Sequence, residues 1–147
     1  MSPLSHPLLG IGNYIQGSLG GLAEAAAGEH EIVAFAPTSI RGPERIRSAL
    51  ERRRVPCVAV SPLIGGRAVR GPAAEMLARL SGGTSAAHVA QTYTGLIDAL
   101  VFDETDARDA DAVSELGVRP IVASTLMRDA ATRRRLAEAT LDAVAFA

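Results

Sequence analysis

Lysine is absent from this 147-residue sequence, so all 15 basic residues are arginine. That excludes a lysine Schiff base and a Walker lysine. Tryptophan is missing as well, and three phenylalanines and two tyrosines make up the whole aromatic set. So few rings cannot build the stacking platforms that hold single-stranded bases. The basic residues are balanced by 16 acidic ones, for a net charge of −1. Neither a basic stripe for nucleic acid nor an acidic, disordered tail is indicated. A single cysteine, Cys57, excludes an internal disulfide and any cysteine-based metal cluster. Its setting in Val55-Pro-Cys-Val-Ala-Val60 predicts a buried structural thiol. No apolar run approaches the ~20 residues of a membrane span. The N-terminus has no charged region leading into an apolar one, and a cytoplasmic protein is expected.

What is present is an alternation. Four short apolar runs, Glu31–Ala36, Val55–Val60, Ala99–Phe102 and Pro120–Ala123, read as strands covered on both faces of a parallel sheet. Helical patterns separate them. Pro43–Arg54 opens with proline and ends on cations, with Ile46, Ala49 and Leu50 on one face. Pro72–Leu80 would turn Met76, Leu77 and Leu80 inward, and Thr84–Ile97 follows with Thr84 or Ser85 as cap. Asp106–Leu116 reads as a helix closed by Gly117, and Arg128–Ala145 as one with Ala137, Leu141 and Val144 along a face. The order predicts a doubly wound, mostly parallel α/β sheet of about four strands with flanking helices, over residues 31–147. Residues 1–30 are a Gly/Ala-rich segment read as partly helical. Gly10-Ile-Gly12 lacks a preceding strand and a third glycine, so it is no dinucleotide fingerprint.

Ligands of doubly wound sheets bind beyond the carboxyl ends of the strands. The most informative exit is Ser61–Pro72. Gly65-Gly66 would let backbone amides approach a ligand, Arg67 and Arg70 offer guanidinium forks, and Gly71-Pro72 begins a helix. The same residues read equally well as a turn with two solvated arginines. At the first exit Thr38 and Ser39 precede Arg41, a phosphate-friendly group whose hydroxyls read first as caps or turn formers. Asp103, Glu104 and Asp106 have the chemistry for a divalent cation, but Asp106 suits a helix cap and capping is the expected role. His88 reads as a packing or surface histidine with no partner in view, and His6 and His30 suggest nothing. The residues alone reach an anion-binding α/β domain, with no catalytic group and no metal ligand assigned.

Ser61-Pro-Leu-Ile-Gly-Gly-Arg-Ala-Val-Arg-Gly-Pro-Ala73 resembles the S-P-[IL]-I-G-G-x-A-[VL]-[KR]-G-P-[AT] signature of the 2-phospho-L-lactate transferase (CofD/FbiA) family. Three more stretches resemble that family in its order: Thr84–Ala90 with Tyr93, Leu96–Asp103 with Asp106-Ala107, and Thr125–Asp129 with Arg135–Ala137. The resemblance implies a Rossmann-like core and a place in coenzyme F(420) biosynthesis. It implies transfer of a phospholactyl or phosphoenolpyruvyl unit from a guanosine-diphosphate-linked donor to the deazaflavin FO, with release of GMP and a requirement for Mg²⁺. On this reading Thr38, Ser39, Ser61, Gly65, Gly66, Arg67, Arg70 and Gly71 face the phosphates. A homodimer, or a pairing with a separate N-terminal half, is also implied. The family's N-terminal glycine-rich loop and acidic ligands have no counterpart here, and the loop at Pro37–Ile40 is shortened. The chain therefore resembles the C-terminal half alone, as a fragment or a split-gene product, and is expected to be inactive by itself. A non-catalytic nucleotide- or phosphate-binding module is the alternative. His88 stands where many relatives carry glycine.

Overall fold

The computed structural model describes residues 42–145, with side chains from residue 47 onward. The expected strand Glu31–Ala36 and the segment 1–30 lie outside the described residues, as do Thr38 and Ser39. Helix α1 spans Gly42–Glu51 and leads to β1, Val58–Val60. A short antiparallel pair follows, β2 (Leu63–Ile64) and β3 (Arg67–Ala68), then α2 (Ala73–Ser81) and α3 (Ala86–Thr92). Strand β4 is Ala99–Phe102. A 3₁₀ helix over Glu104–Asp109 runs into α4, Ala110–Glu115, and β5 (Arg119–Val122) and α5 (Ala130–Ala145) complete the order.

The strands β1, β4 and β5 form one parallel sheet in the order β1-β4-β5, with Val58 beside Ala99 and Ala99 beside Arg119. This is the α/β, Rossmann-like class that the alternation predicts. Among the described residues the sheet has three strands rather than four. Strand β4 lies between the other two and is entirely buried. Its alternation sorts the two faces. Leu100 and Phe102 enter a cluster with Leu63, Leu77, Val89 and Val113, which α2, α3 and α4 supply or cover. Ala99 and Val101 are outside that cluster, and α5 packs against β1 and β4 through buried Leu136, Ala137 and Ala143.

Several helices differ from expectation for local reasons. In α2 only Leu77 of the expected trio is buried, while Met76 and Leu80 are 57% and 72% exposed. The helix ends at Gly82, whose φ of 80° gives the left-handed cap that glycine favours. Helix α3 stops at Thr92 instead of reaching Ile97. Thr92 and Thr94 bond back to the carbonyls of His88 and Ala90, and Gly95 turns the chain at a φ of 78° so that Leu96 and Ile97 enter the core. Helix α5 starts at Ala130 because Asp129 caps it, its Oδ1 accepting from the Thr132 amide at 2.8 Å. Its inward face centres on Leu136 and Ala143, leaving Leu141 half-buried and Val144 exposed. Cys57 is half-buried rather than buried, and burial pushes its thiol pKa up while nearby Arg53 pulls the other way.

Asp98 ties the first helical segment to the sheet. Both its carboxylate oxygens accept from Arg53 Nη2 at 2.8 Å, and Oδ2 also accepts from the Cys57 amide at 2.7 Å. The Arg53 hydrogen bond, then the Cys57 amide, hold this carboxyl below its usual range.

Candidate functional site

The strand exits carry the site. After β1, buried Ser61 donates its amide to the Val101 carbonyl at 2.8 Å, while its Oγ accepts from the Leu63 amide at 3.2 Å. The chain then makes the β2–β3 hairpin, which the sequence reading does not contain. Gly65 and Gly66 are its two turn residues, at φ of 59° and 72°. A two-residue hairpin with both central φ values positive is the type I′ turn, and it accounts for the glycine pair on backbone grounds. The Gly65 amide is also committed, donating to Asp106 Oδ2 at 2.9 Å. An anion is therefore not offered that amide, and Asp106 would repel one beside it. Gly66 lies against Thr84, with a Cβ position 3.2 Å from Thr84 Oγ1.

Beyond the hairpin the chain turns at Gly71, φ 77°, and starts α2 after Pro72. Between this turn and the exit of β5 lies a cavity of about 410 Å³, within the usual range for small-molecule sites. Ser61, Arg70, Gly71 and Thr125 border it, and the rest of its wall is apolar, with Ile64, Val69, Met76, Leu126 and Met127 prominent. The expected donor-binding residues thus divide. Ser61, Arg70 and Gly71 border the cavity, Gly65 and Gly66 form the hairpin tip, and exposed Arg67 lies on β3. Arg70 is also exposed, so its guanidinium is hydrated at the rim.

The acidic exit of β4 has a different role from the one expected. Asp103, not Asp106, caps the helix: its Oδ1 accepts from the Thr105 amide at 3.0 Å and from Thr105 Oγ1 at 2.7 Å. Its Oδ2 accepts from the Thr125 amide and hydroxyl at 2.9 and 3.1 Å. Burial raises the Asp103 pKa, but these four hydrogen bonds outweigh it and leave the carboxyl below its usual range. Asp106 is buried and serves the hairpin tip, and Asp109 Oδ2 accepts from the Ala86 amide at 2.9 Å. Among the described residues no three of His, Cys, Asp and Glu are grouped to hold a metal ion. With both Asp103 oxygens filled by threonines, this exit does not fit Mg²⁺.

His88 does have a partner, which the sequence reading missed. Its Nδ1 lies 2.8 Å from Ser85 Oγ, and its ring covers Gly83 so closely that a Cβ there would meet Cε1 and Nε2 at 2.3 Å. The i, i+3 spacing of Ser85 and His88 across the start of α3 was the available signal. The spacing of three among Asp103, Asp106 and Asp109 was another. Among the described residues no helix is long and apolar enough to cross a membrane.

No family model matches the chain. Curated proteins do. A 2-phospho-L-lactate transferase of Methanosarcina acetivorans is 40% identical over 93 residues, which cover 63% of this chain and 30% of that protein. The protein of the same name in Methanosarcina mazei is 37% identical over 98 residues, 67% of this chain and 32% of its own length. A phosphoenolpyruvate transferase of Streptomyces griseus is 30% identical over 125 residues, covering 80% of this chain and 39% of that protein. The chain spans 30% to 39% of the length of these relatives.

Proposed function

Over the stretch it shares with these relatives the chain belongs to the 2-phospho-L-lactate transferase family, and on that premise we propose that it supplies donor-side residues of a phospholactyl or phosphoenolpyruvyl transferase. The observation that carries this reading is the cavity at the carboxyl ends of β1 and β5, with Arg70 and Gly71 on its rim. The donor would be linked to guanosine diphosphate and the acceptor would be the deazaflavin FO, within coenzyme F(420) biosynthesis. In the reaction an acceptor hydroxyl oxygen bonds to the phosphorus bearing the lactyl or enolpyruvyl group, and GMP leaves. Such transfers need positioning and charge neutralisation more than covalent help. Arg70 provides a guanidinium for a donor phosphate, and the Gly71 turn brings backbone close to the same rim. Thr38, Ser39 and Arg67 are kept as further donor-binding residues of this reading.

Mg²⁺ is part of the proposed reaction, and its ligands are assigned outside this chain. Consequently the 147-residue chain alone should not turn over FO. A cytoplasmic location and either a homodimer or a complementing N-terminal half go with this reading.

Calorimetric titration with GDP and with inorganic phosphate tests the proposal in wild type, Arg70→Ala and Arg67→Ala. Loss of a charge-assisted hydrogen bond at Arg70 should weaken GDP binding about tenfold or more. Arg67→Ala should have the smaller effect. Equal GDP affinity in wild type and Arg70→Ala would refute the assignment. Turnover of FO by the chain alone, with donor and Mg²⁺ supplied, would refute the expected inactivity.

A further inference from the structure

The segment Asp103-Glu-Thr-Asp-Ala-Arg-Asp109 places an aspartate at every third position. It is a 3₁₀ helix over Glu104–Asp109 capped by Asp103, and the Asp106 amide donates to the Asp103 carbonyl at 2.9 Å. With three residues per turn, side chains three apart eclipse, so Asp106 and Asp109 line one edge, and Asp103 precedes them as the extended cap. Each reaches a different part of the chain. Asp103 holds the Thr125 amide and hydroxyl at the exit of β5, Asp106 holds the Gly65 amide at the hairpin tip, and Asp109 holds the Ala86 amide at the start of α3. Two of these targets belong to the loops that enclose the cavity, since Ile64 and Thr125 both line it.

We infer that this 3₁₀ helix is a positioning element: Asp103 and Asp106 set the two cavity walls relative to each other without touching the ligand. On an α-helix side chains three apart would diverge by about 60°, whereas here Asp106 and Asp109 eclipse. The carboxylates suit the role because they only accept, and each amide they hold would otherwise be a partly buried donor without a partner. Asp106 is a positioning residue for the hairpin, and Asp103 for the wall at Thr125–Met127. Their ligand effect rests on the donor-site reading above, whereas their hold on the loops does not.

The test reads amide exchange at Gly65, Ala86 and Thr125 in the full chain by nitrogen-15 spectroscopy, together with GDP titration. Asp106→Ala should speed exchange at Gly65 about tenfold or more while leaving Ala86 and Thr125 unchanged. It should also weaken GDP binding without lowering the melting temperature in proportion. Asp106→Asn keeps a carbonyl acceptor and should restore most of both. Should Asp106→Ala fail to fold, Asp106→Glu displaces the acceptor while keeping its charge, and should shift the Gly65 resonance selectively. Unchanged Gly65 exchange overturns the inference, as does equal acceleration of all three amides, which would mean a merely structural hub. Selective Gly65 exchange with no GDP binding in wild type supports the positioning role and refutes the donor-site reading.

Discussion

Gly83→Ala is a direct test of the contact beneath α3. The added methyl would lie 2.3 Å from His88 Cε1 and Nε2 and 2.7 Å from Cδ2, well inside van der Waals contact. The atoms met are the far end of a side chain, so the imidazole is the group that moves. Moving it breaks the 2.8 Å contact between His88 Nδ1 and Ser85 Oγ. A lost hydrogen bond of this kind costs about 1 kcal/mol net. Against that, glycine to alanine at a compatible backbone stabilises by about 0.4–1 kcal/mol through the unfolded chain. The single variant should thus be nearly neutral, which by itself decides nothing. The decisive quantity is the double-mutant cycle with His88→Ala. With the ring gone, Gly83→Ala meets no clash and should stabilise by about 0.4–1 kcal/mol. The coupling between the two sites should therefore be about 1 kcal/mol, measured by urea unfolding of the four proteins. Equal effects of Gly83→Ala in both backgrounds would show that His88 does not cover this glycine.

Two further outcomes follow from the core and from the β4 exit. Phe102 is fully buried at the end of the central strand, so Phe102→Ala should destabilise by about 3–5 kcal/mol in the same unfolding assay, and a loss under 1 kcal/mol would contradict its placement. Asp103 has a folded pKa below its unfolded value of about 3.9, so its contribution is complete above that pH and is lost as pH falls through the folded value. Stability measured from pH 7 to pH 3 should fall in that acid range, and Asp103→Asn should flatten the fall; an unchanged slope would remove Asp103 from the cause.

The parallel α/β class was legible because strands buried on both faces leave continuous apolar runs, and Ala99–Phe102 is observed with the expected limits. Helix faces were less legible. Met76 and Leu80 have the right residue type for a core, but α2 contributes only Leu77 to it. In α5, small Ala143 takes an inward position because its size allows close approach, which periodicity in apolar residues does not encode. At the site, Gly65-Gly66 has two physical uses, and only three-dimensional pairing shows that the hairpin turn requires it. Likewise, an aspartate that caps its own helix looks the same in sequence as one that holds a distant loop. Capping was expected of Asp106 but falls to Asp103, which also holds Thr125, while Asp106 holds Gly65, and both of these partners come from elsewhere in the chain.

The path from β1 to its neighbour β4 passes through the hairpin and two helices, whereas β4 reaches β5 through one short helical segment. Closing the longer excursion is entropically mild, since each doubling of loop length adds only about 0.6 kcal/mol. Away from Gly65 and Ala86, which Asp106 and Asp109 hold, this crossover is the described connection where insertions, deletions or altered loops disturb the sheet least. Variation in ligand contacts can accumulate there while the register of Val58 beside Ala99 is kept. The shorter β4–β5 connection has no such freedom, because its aspartates are already bonded to three separate parts of the chain.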